Sequence, residues 1–329
     1  MVSIKEEMED LIFPSSNECL KFIDELNKVQ WPTFDGENIE KYVSDFHKKM
    51  TNICKFYTSF ALLTPQNNPF DFKLFRVRAV DEIKNKGMRC EYSYPPIAFT
   101  TRNLRANLIG APVFYASDHP LVALLEYIQQ WEDIEKYTEK EFVISKCNIR
   151  SNQRLFLAPF IPISLENKNE YAILAKFTND EYRQMTNSNI PDDQIEGLKL
   201  MREYFSNEFI KDSERSISSY LGHHFTYRFP YGNNILMYPS LKSKHRHNNF
   251  AMHPNFADEM LELSHIYRIK VNSINNLDEI TMKFNYELID IAFNQGTKII
   301  WNDISSNLGY INVLHKEDFG NELNHKIKI

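Results

Sequence analysis

Two arginines, a glutamate and a serine stand where their neighbours give each a definite local geometry. All four are residue types that act on polar, anionic substrates. Arg76 and Arg78 lie in Leu74-Phe-Arg-Val-Arg-Ala79, whose alternation predicts a strand with Phe75, Val77 and Ala79 on one face and both guanidiniums on the other. A guanidinium is a rigid fork of donors matched to phosphate oxygens, so this face resembles the wall of an anion site; a surface strand with solvated arginines would read the same way. Glu126 lies in a predicted helix whose apolar stripe is Leu121, Leu124, Leu125 and Ile128. At about 100° per residue its carboxylate sits about 150° from the middle of that stripe, facing either solvent or a cleft, and for the helix alone solvent is the default. Ser240 follows Pro239 at the exit of the apolar run Asn234-Ile-Leu-Met-Tyr-Pro, where an ordinary turn serine would also be at home.

The elements that must position these residues can be traced around them. Before Glu126 the chain reads as a polar loop from Arg105, a short buried strand from Val113 to Ala116 carrying Tyr115, and a tight turn. Ser117 or Asp118 is expected to cap the helix and Pro120 suits its first turn. Further strands are expected at 142–149, 249–253, 286–293 and 298–301, and helices at 197–209 and 215–229. Residues 1–68 read as helical through Cys19, Leu20, Ile23, Leu26 and Tyr42, Phe46, Met50, Ile53, with turns at Trp31-Pro32 and Phe34-Asp-Gly36. Residues 85–105 read as loop, and 150–195 as a polar, irregular insertion. Helices and strands mix without regular βαβ alternation, which predicts an α+β fold.

Taken together, Leu74-Phe-Arg76-Val-Arg78, Arg105-x-Asn107-x-x-Gly110-x-Pro-Val-x-Tyr115-Ala, Ala123-x-x-Glu126 and Ile235-Leu-Met-Tyr-Pro-Ser240, followed by Asn249-Phe-Ala-Met, resemble the RES domain, a family named for its arginine, glutamate and serine. The resemblance covers roughly residues 72–271 and is most specific from Arg105 to Glu126. It implies an ADP-ribosyltransferase-like mixed sheet and an NAD-degrading enzyme, a growth-arresting toxin of toxin–antitoxin systems. The reaction implied is cleavage of the nicotinamide–ribose bond, with phosphate or water as acceptor. NAD is then substrate rather than cofactor, and inorganic phosphate a candidate co-substrate.

Residue by residue, the resemblance implies that Glu126 contacts the ribose hydroxyls and stabilises an oxocarbenium-like ribosyl cation. It implies that Arg76 and Arg105, with Arg78 and Asn107 beside them, hold the diphosphate or incoming phosphate, that Tyr115 packs against the substrate and that Ser240 orients the nicotinamide ribose. One carboxylate suffices, because nicotinamide leaves as a neutral base. The implied division is a helical extension at 1–68, a catalytic domain at 69–272 and a C-terminal extension at 273–329. Transfer of ADP-ribose to a macromolecule on the same fold is a second enzyme reading, and a catalytically silent nucleotide-binding module the reading from a different class.

Composition bounds these expectations. The 329-residue chain is 43% hydrophobic and 13% aromatic, enough for a sizeable core. A formal net charge of −6 disfavours non-specific nucleic-acid binding, which needs a basic face. Cys19, Cys54, Cys90 and Cys147 form no CxxC pair, as expected of reduced thiols in a cytoplasmic protein. The acidic start and the lack of a long apolar run predict neither a signal peptide nor a membrane span. His223, His224, His245, His247 and His253 are not at zinc spacing, and the Lys and Arg around them disfavour a cation, so no metal is expected. A small helix-turn-helix antitoxin or a homo-oligomer would be the partners.

Overall fold

The structure, a computed structural model, describes residues 13–54, 62–63, 72–128, 136–150, 155–172, 174, 191–211, 216–228, 234–276, 281–296, 298–320 and 326–328. It is an α+β protein that divides into two compact units, each built from interleaved stretches of chain. The first comprises Met1–Thr64, Pro96–Val113 and Arg154–Pro239, the second Pro65–Pro95, Phe114–Gln153 and Ser240–Ile329. The Gln66-Asn-Asn-Pro69 turn and most of the predicted insertion after 172 lie outside the described residues.

The first unit holds helices α1 (Ser16–Lys28) and α2 (Ile39–Ile53) and strand β1 (Leu62–Leu63). Ser15 and Glu18 form a reciprocal capping box that starts α1, satisfying two otherwise orphaned amides. Two more helices, Asp192–Ile210 and Ser216–His223, and the strands Phe156–Pro159 and Asn234–Pro239 complete this unit. The first of these strands falls within the stretch read as an irregular insertion. Its only cue in the sequence is a short apolar run, and it pairs parallel with Asn234–Pro239 and antiparallel with β1. Phe46 stacks between Trp31 and Tyr220, with centroids 4.6 and 4.3 Å away, and ties α2 to helix Ser216–His223.

The second unit holds most of the strands. They are β2 (Leu74–Ala79), β3 (Phe114–Ser117), β4 (Glu141–Ile149), with helix α3 (Pro120–Tyr127) between β3 and β4. In chain order with the first unit's elements, β5 is Phe156–Pro159, α4 Asp192–Ile210, α5 Ser216–His223 and β6 Asn234–Pro239. There follow β7 (Asn248–Met252), α6 (Pro254–Met260), β8 (Leu261–Asn276), β9 (Thr281–Gln295), β10 (Lys298–Asp303), α7 (Leu308–Phe319) and β11 (Lys326–Lys328). The second unit's strands are ordered β7-β3-β2-β4-β8-β9-β10, with β11 also on β9, and every described pairing among them is antiparallel.

Strand β8 runs on past residue 272 and pairs with β9 as far as Asn276, so the C-terminal stretch continues the same sheet. The long strands β8 and β9 alternate weakly, because polar residues such as Asn275 and Asn285 sit where they face water, and period-2 reading captured only a fragment of β9 and missed β8.

Against one face of this sheet, α3 and α7 bury a core of Phe75, Val77, Phe142, Ile144, Tyr267 and Ile269 with Leu121, Leu124, Leu125 and Phe319. Phe75, Val77 and Ala79 therefore point to the helix side, and Arg76 and Arg78 to the other, as alternation predicted. Among the described residues, no helix is long and apolar enough to cross a membrane.

Candidate functional site

Glu126 is half-buried near the end of α3, and two side chains from distant parts of the chain converge on one of its oxygens. Ser240 Oγ donates to Glu126 Oε1 at 2.5 Å and Asn249 Nδ2 donates to the same atom at 2.9 Å. Ser240 is fully buried and Asn249 nearly so. Ser117 Oγ donates to Asn249 Oδ1 at 2.6 Å. Among the described residues nothing bonds Glu126 Oε2, so the carboxylate is anchored by one oxygen with the other available. Hydroxyl and amide donors to an ionised carboxylate make charge-assisted bonds, about twice as strong as neutral ones.

The local chemistry that builds this group is explicit. Register places Ser117 opposite Asn249 in the β3–β7 ladder and opposite Phe75 in the β3–β2 pair, so both polar residues lie on the helix face beneath α3. Ser240 opens a compact turn to His247: its N–H donates to His247 O at 2.8 Å, and its carbonyl accepts from His245 N at 2.8 Å and from Ser243 Oγ at 3.1 Å. Lys244 and His245 take φ of +47° and +71°, the left-handed backbone that reverses the chain within so few residues.

The helix cap differs from expectation. His119 Nδ1, not Ser117 or Asp118, accepts from Leu121 N at 3.2 Å. Ser117 is the last residue of β3 and is held by Asn249, while Asp118 Oδ2 accepts from Asn248 N at 2.8 Å and Asn248 Nδ2 at 3.1 Å. The cap role passes to the next side chain with a lone pair to offer.

Arg76 does not join this group. It starts from the opposite face of β2, and its Nη1 donates to Tyr115 O at 3.1 Å. β2 pairs with β3 only at Phe75 and Ser117 while it pairs with β4 along its whole length, so the two strands part just beyond Phe75. The guanidinium occupies the place where a ladder bond would otherwise satisfy the Tyr115 carbonyl. It lies 5.6 Å from the Phe114 ring centre, and burial, helped by the charge on Arg78, pushes it down to about 10.

Arg78 is held by its own neighbourhood: it donates to Glu91 O at 2.6 Å and Glu82 O at 3.2 Å and is ion-paired with both carboxylates. Of the arginines expected to hold the diphosphate, Arg76 is thus engaged by the Tyr115 carbonyl and Arg78 by Glu82 and Glu91. Strand alternation set the two arginines on one face correctly, but the face that α3 covers could not be known without the pairing. Tyr115, half-buried, shares the Ser117 face of β3.

Arg105 and Asn107 belong to the first unit. Asn107 is buried, and its amide donates to Leu108 O at 2.9 Å, so it shapes the loop from within. The α5 helix meets this loop at Gly222, where an added Cβ would lie 2.4 Å from Ala106 Cα. Asn249, Ser117, Asp118 and His247 are the polar residues to which the sequence assigned no role in a site. Asn249 stood in the matching segment, but its link to Glu126 depends on the β3–β7 register, which no local pattern reveals. Compared with family models and with curated proteins, the sequence matches none.

Proposed function

We propose that the chain is an NAD-degrading enzyme of the RES type, cleaving the nicotinamide–ribose bond with phosphate or water as acceptor. The supporting observation is the contact between Glu126 and Ser240, 114 residues apart, which the resemblance assigns to one active centre. Glu126 would use the oxygen left open by Ser240 and Asn249 to meet the ribose hydroxyls and the positive charge developing at the anomeric carbon. A carboxylate fixed in advance by two donors needs little reorganisation when that charge appears.

The C–N electron pair leaves with nicotinamide, which needs no proton. On this reading Arg76 is a positioning residue that holds β3 through the Tyr115 carbonyl. The protein would act in the cytoplasm as a growth-arresting toxin, neutralised by a small helix-turn-helix antitoxin.

The test is nicotinamide release from NAD by the purified full chain, with and without inorganic phosphate. Release that vanishes in Glu126→Gln, with an unchanged thermal midpoint, is the expected result. Wild-type protein that leaves NAD intact in both buffers, or Glu126→Gln protein that consumes it at the wild-type rate, would sink the reading. Label passing from NAD to a macromolecule in lysate would instead identify transfer of ADP-ribose to a protein or nucleic acid.

A further inference from the structure

Asp118 and His247 form a carboxylate–imidazole pair next to the Glu126 group. Asp118 Oδ1 lies 3.1 Å from His247 Nδ1. A carboxylate can only accept, so Nδ1 carries the proton and donates it, and Nε2 presents its lone pair. Asp118 is itself fixed, through Oδ2 by the N–H and side-chain amide of Asn248 and through its own N–H, which donates to Asn248 O at 3.1 Å. The imidazole thus has an orienting partner that is oriented in turn, which is how a general base is recognised.

Its location ties it to the Glu126 centre. His247 O accepts from Ser240 N, and Ser240 is the donor to Glu126. Two residues on, Asn249 is the second donor to the same carboxylate, and Ser117, which holds Asn249, precedes Asp118. The side chain of His247 is 26% exposed, and among the described residues nothing bonds Nε2. The groups facing the ring are Asp118 and His119 from the turn before α3, the latter with ring centres 5.1 Å apart, and Arg246 lies beside it on its own turn.

We propose that His247, oriented by Asp118, is the general base that takes the proton of the acceptor water. This rests on the NAD-cleaving reading and adds the acceptor side of the same centre. As the nicotinamide C–N bond breaks and its electron pair goes to the pyridine nitrogen, the water oxygen bonds to the anomeric carbon and its proton passes to His247 Nε2. The products are ADP-ribose, nicotinamide and a proton released later to solvent. A phosphate dianion needs no such help, because it arrives already deprotonated.

The experiment measures nicotinamide release by wild type, His247→Gln and Asp118→Asn in phosphate-free buffer and in saturating phosphate. In phosphate-free buffer each variant is expected to lose at least about a hundredfold, the low end of what general-base catalysis supplies. Saturating phosphate should restore most of the rate to His247→Gln.

His247→Gln at the wild-type rate without phosphate, an equal fractional loss in both buffers, or a wild type that works only with phosphate would each overturn the proposal while leaving NAD cleavage standing. A wild type inert in both buffers removes the cleavage reading and this proposal with it. Should His247→Gln not fold, Asp118→Asn decides: the wild-type rate without phosphate, or an equal fractional loss in both buffers, overturns the assignment.

Discussion

Ser117 and Asn249 face each other across the β3–β7 ladder, and the bond between their side chains decides which way the Asn249 amide points. Because Ser117 Oγ donates to Oδ1, Nδ2 is left for Glu126. The orientation of the candidate catalytic carboxylate therefore depends on a serine that does not touch it.

Replacing Asn249 by aspartate keeps the shape and inverts the interaction. Asn249→Asp would set a second carboxylate 2.9 Å from Glu126 Oε1, where two like charges cannot both persist. The expected outcome is loss of nicotinamide release by at least about a hundredfold at neutral pH, the scale of removing one preorganised donor. Ser117→Ala should give a smaller loss with Glu126 unchanged, since the amide is then free to flip. Steady-state kinetics of both variants beside wild type check the order.

Arg76 separates two accounts of the same residue. If it holds the Tyr115 carbonyl, Arg76→Met should destabilise the fold by about 1.5–3 kcal/mol, the net worth of a hydrogen bond from a charged group, and leave the Michaelis constant for NAD within about twofold of wild type. Urea unfolding and initial-rate kinetics give the two numbers. A stable variant with a greatly raised Michaelis constant would return Arg76 to the substrate.

In the first unit, α5 approaches the Arg105–Asn107 loop so closely that only glycine fits at 222. A Cβ there would meet Ala106 Cα at 2.4 Å and its carbonyl oxygen at 2.8 Å, and backbone atoms cannot swing aside as a side chain can. Gly222→Ala should cost about 1–3 kcal/mol, as overpacking of a filled interior does. Thermal melts of the variant, with Gly309→Ala as a control in open space, would show it.

How much of this was legible in the sequence follows from the range of each signal. The α+β class, the α1 and α2 helices, and the division of β2 into an apolar and an arginine face rest on neighbours a few residues apart, and they were readable. Glu126 could be placed off the apolar stripe of α3, yet its bonds to Ser240 and Asn249 join positions more than a hundred residues away. The resemblance set Arg76, Glu126 and Ser240 in one group; Glu126 and Ser240 bond each other while Arg76 starts from the opposite face of β2 and bonds the Tyr115 carbonyl, and a motif records which residues occur together and not which face of a sheet they start from. The His119 cap was missed since serine and aspartate outrank histidine at helix starts, and here both were already engaged.

Thiol chemistry offers a check on burial that is independent of function. Cys90 is exposed, whereas Cys19, Cys54 and Cys147 are buried. Burial pushes the Cys19 and Cys147 thiols up to about 12, for Cys147 against the opposing pull of Arg89 and Arg76. Since the thiolate is the reactive form, native protein should titrate one fast thiol with a disulfide reagent and four after denaturation in urea, matching the four cysteines of the chain. In Cys90→Ser the fast phase should disappear.

The docking of α7 carries the clearest pH dependence. Asp318 Oδ1 accepts from Lys146 Nζ at 2.6 Å, and Oδ2 accepts from His265 Nε2 and from Tyr267 OH, each at 2.9 Å. Burial pushes the Asp318 carboxyl upward, but the bonds from His265 and Lys146 and the charge on Lys146 outweigh it and hold the group below the usual aspartate range. A carboxyl lowered in the folded state stabilises it once the pH is above the value in the unfolded chain. That contribution is lost as the pH falls through the lowered value. Asp318→Asn should therefore cost up to about 3 kcal/mol at neutral pH, the low end for breaking a buried pair, because Lys146 keeps only the more distant Glu317 carboxylate at 4.0 Å. The gap between wild type and variant should narrow as the buffer is taken below the aspartate range. Urea unfolding of both proteins from pH 7 down to pH 3 measures the gap directly; a difference that stays constant through that descent would show that the Asp318 charge does not anchor the helix.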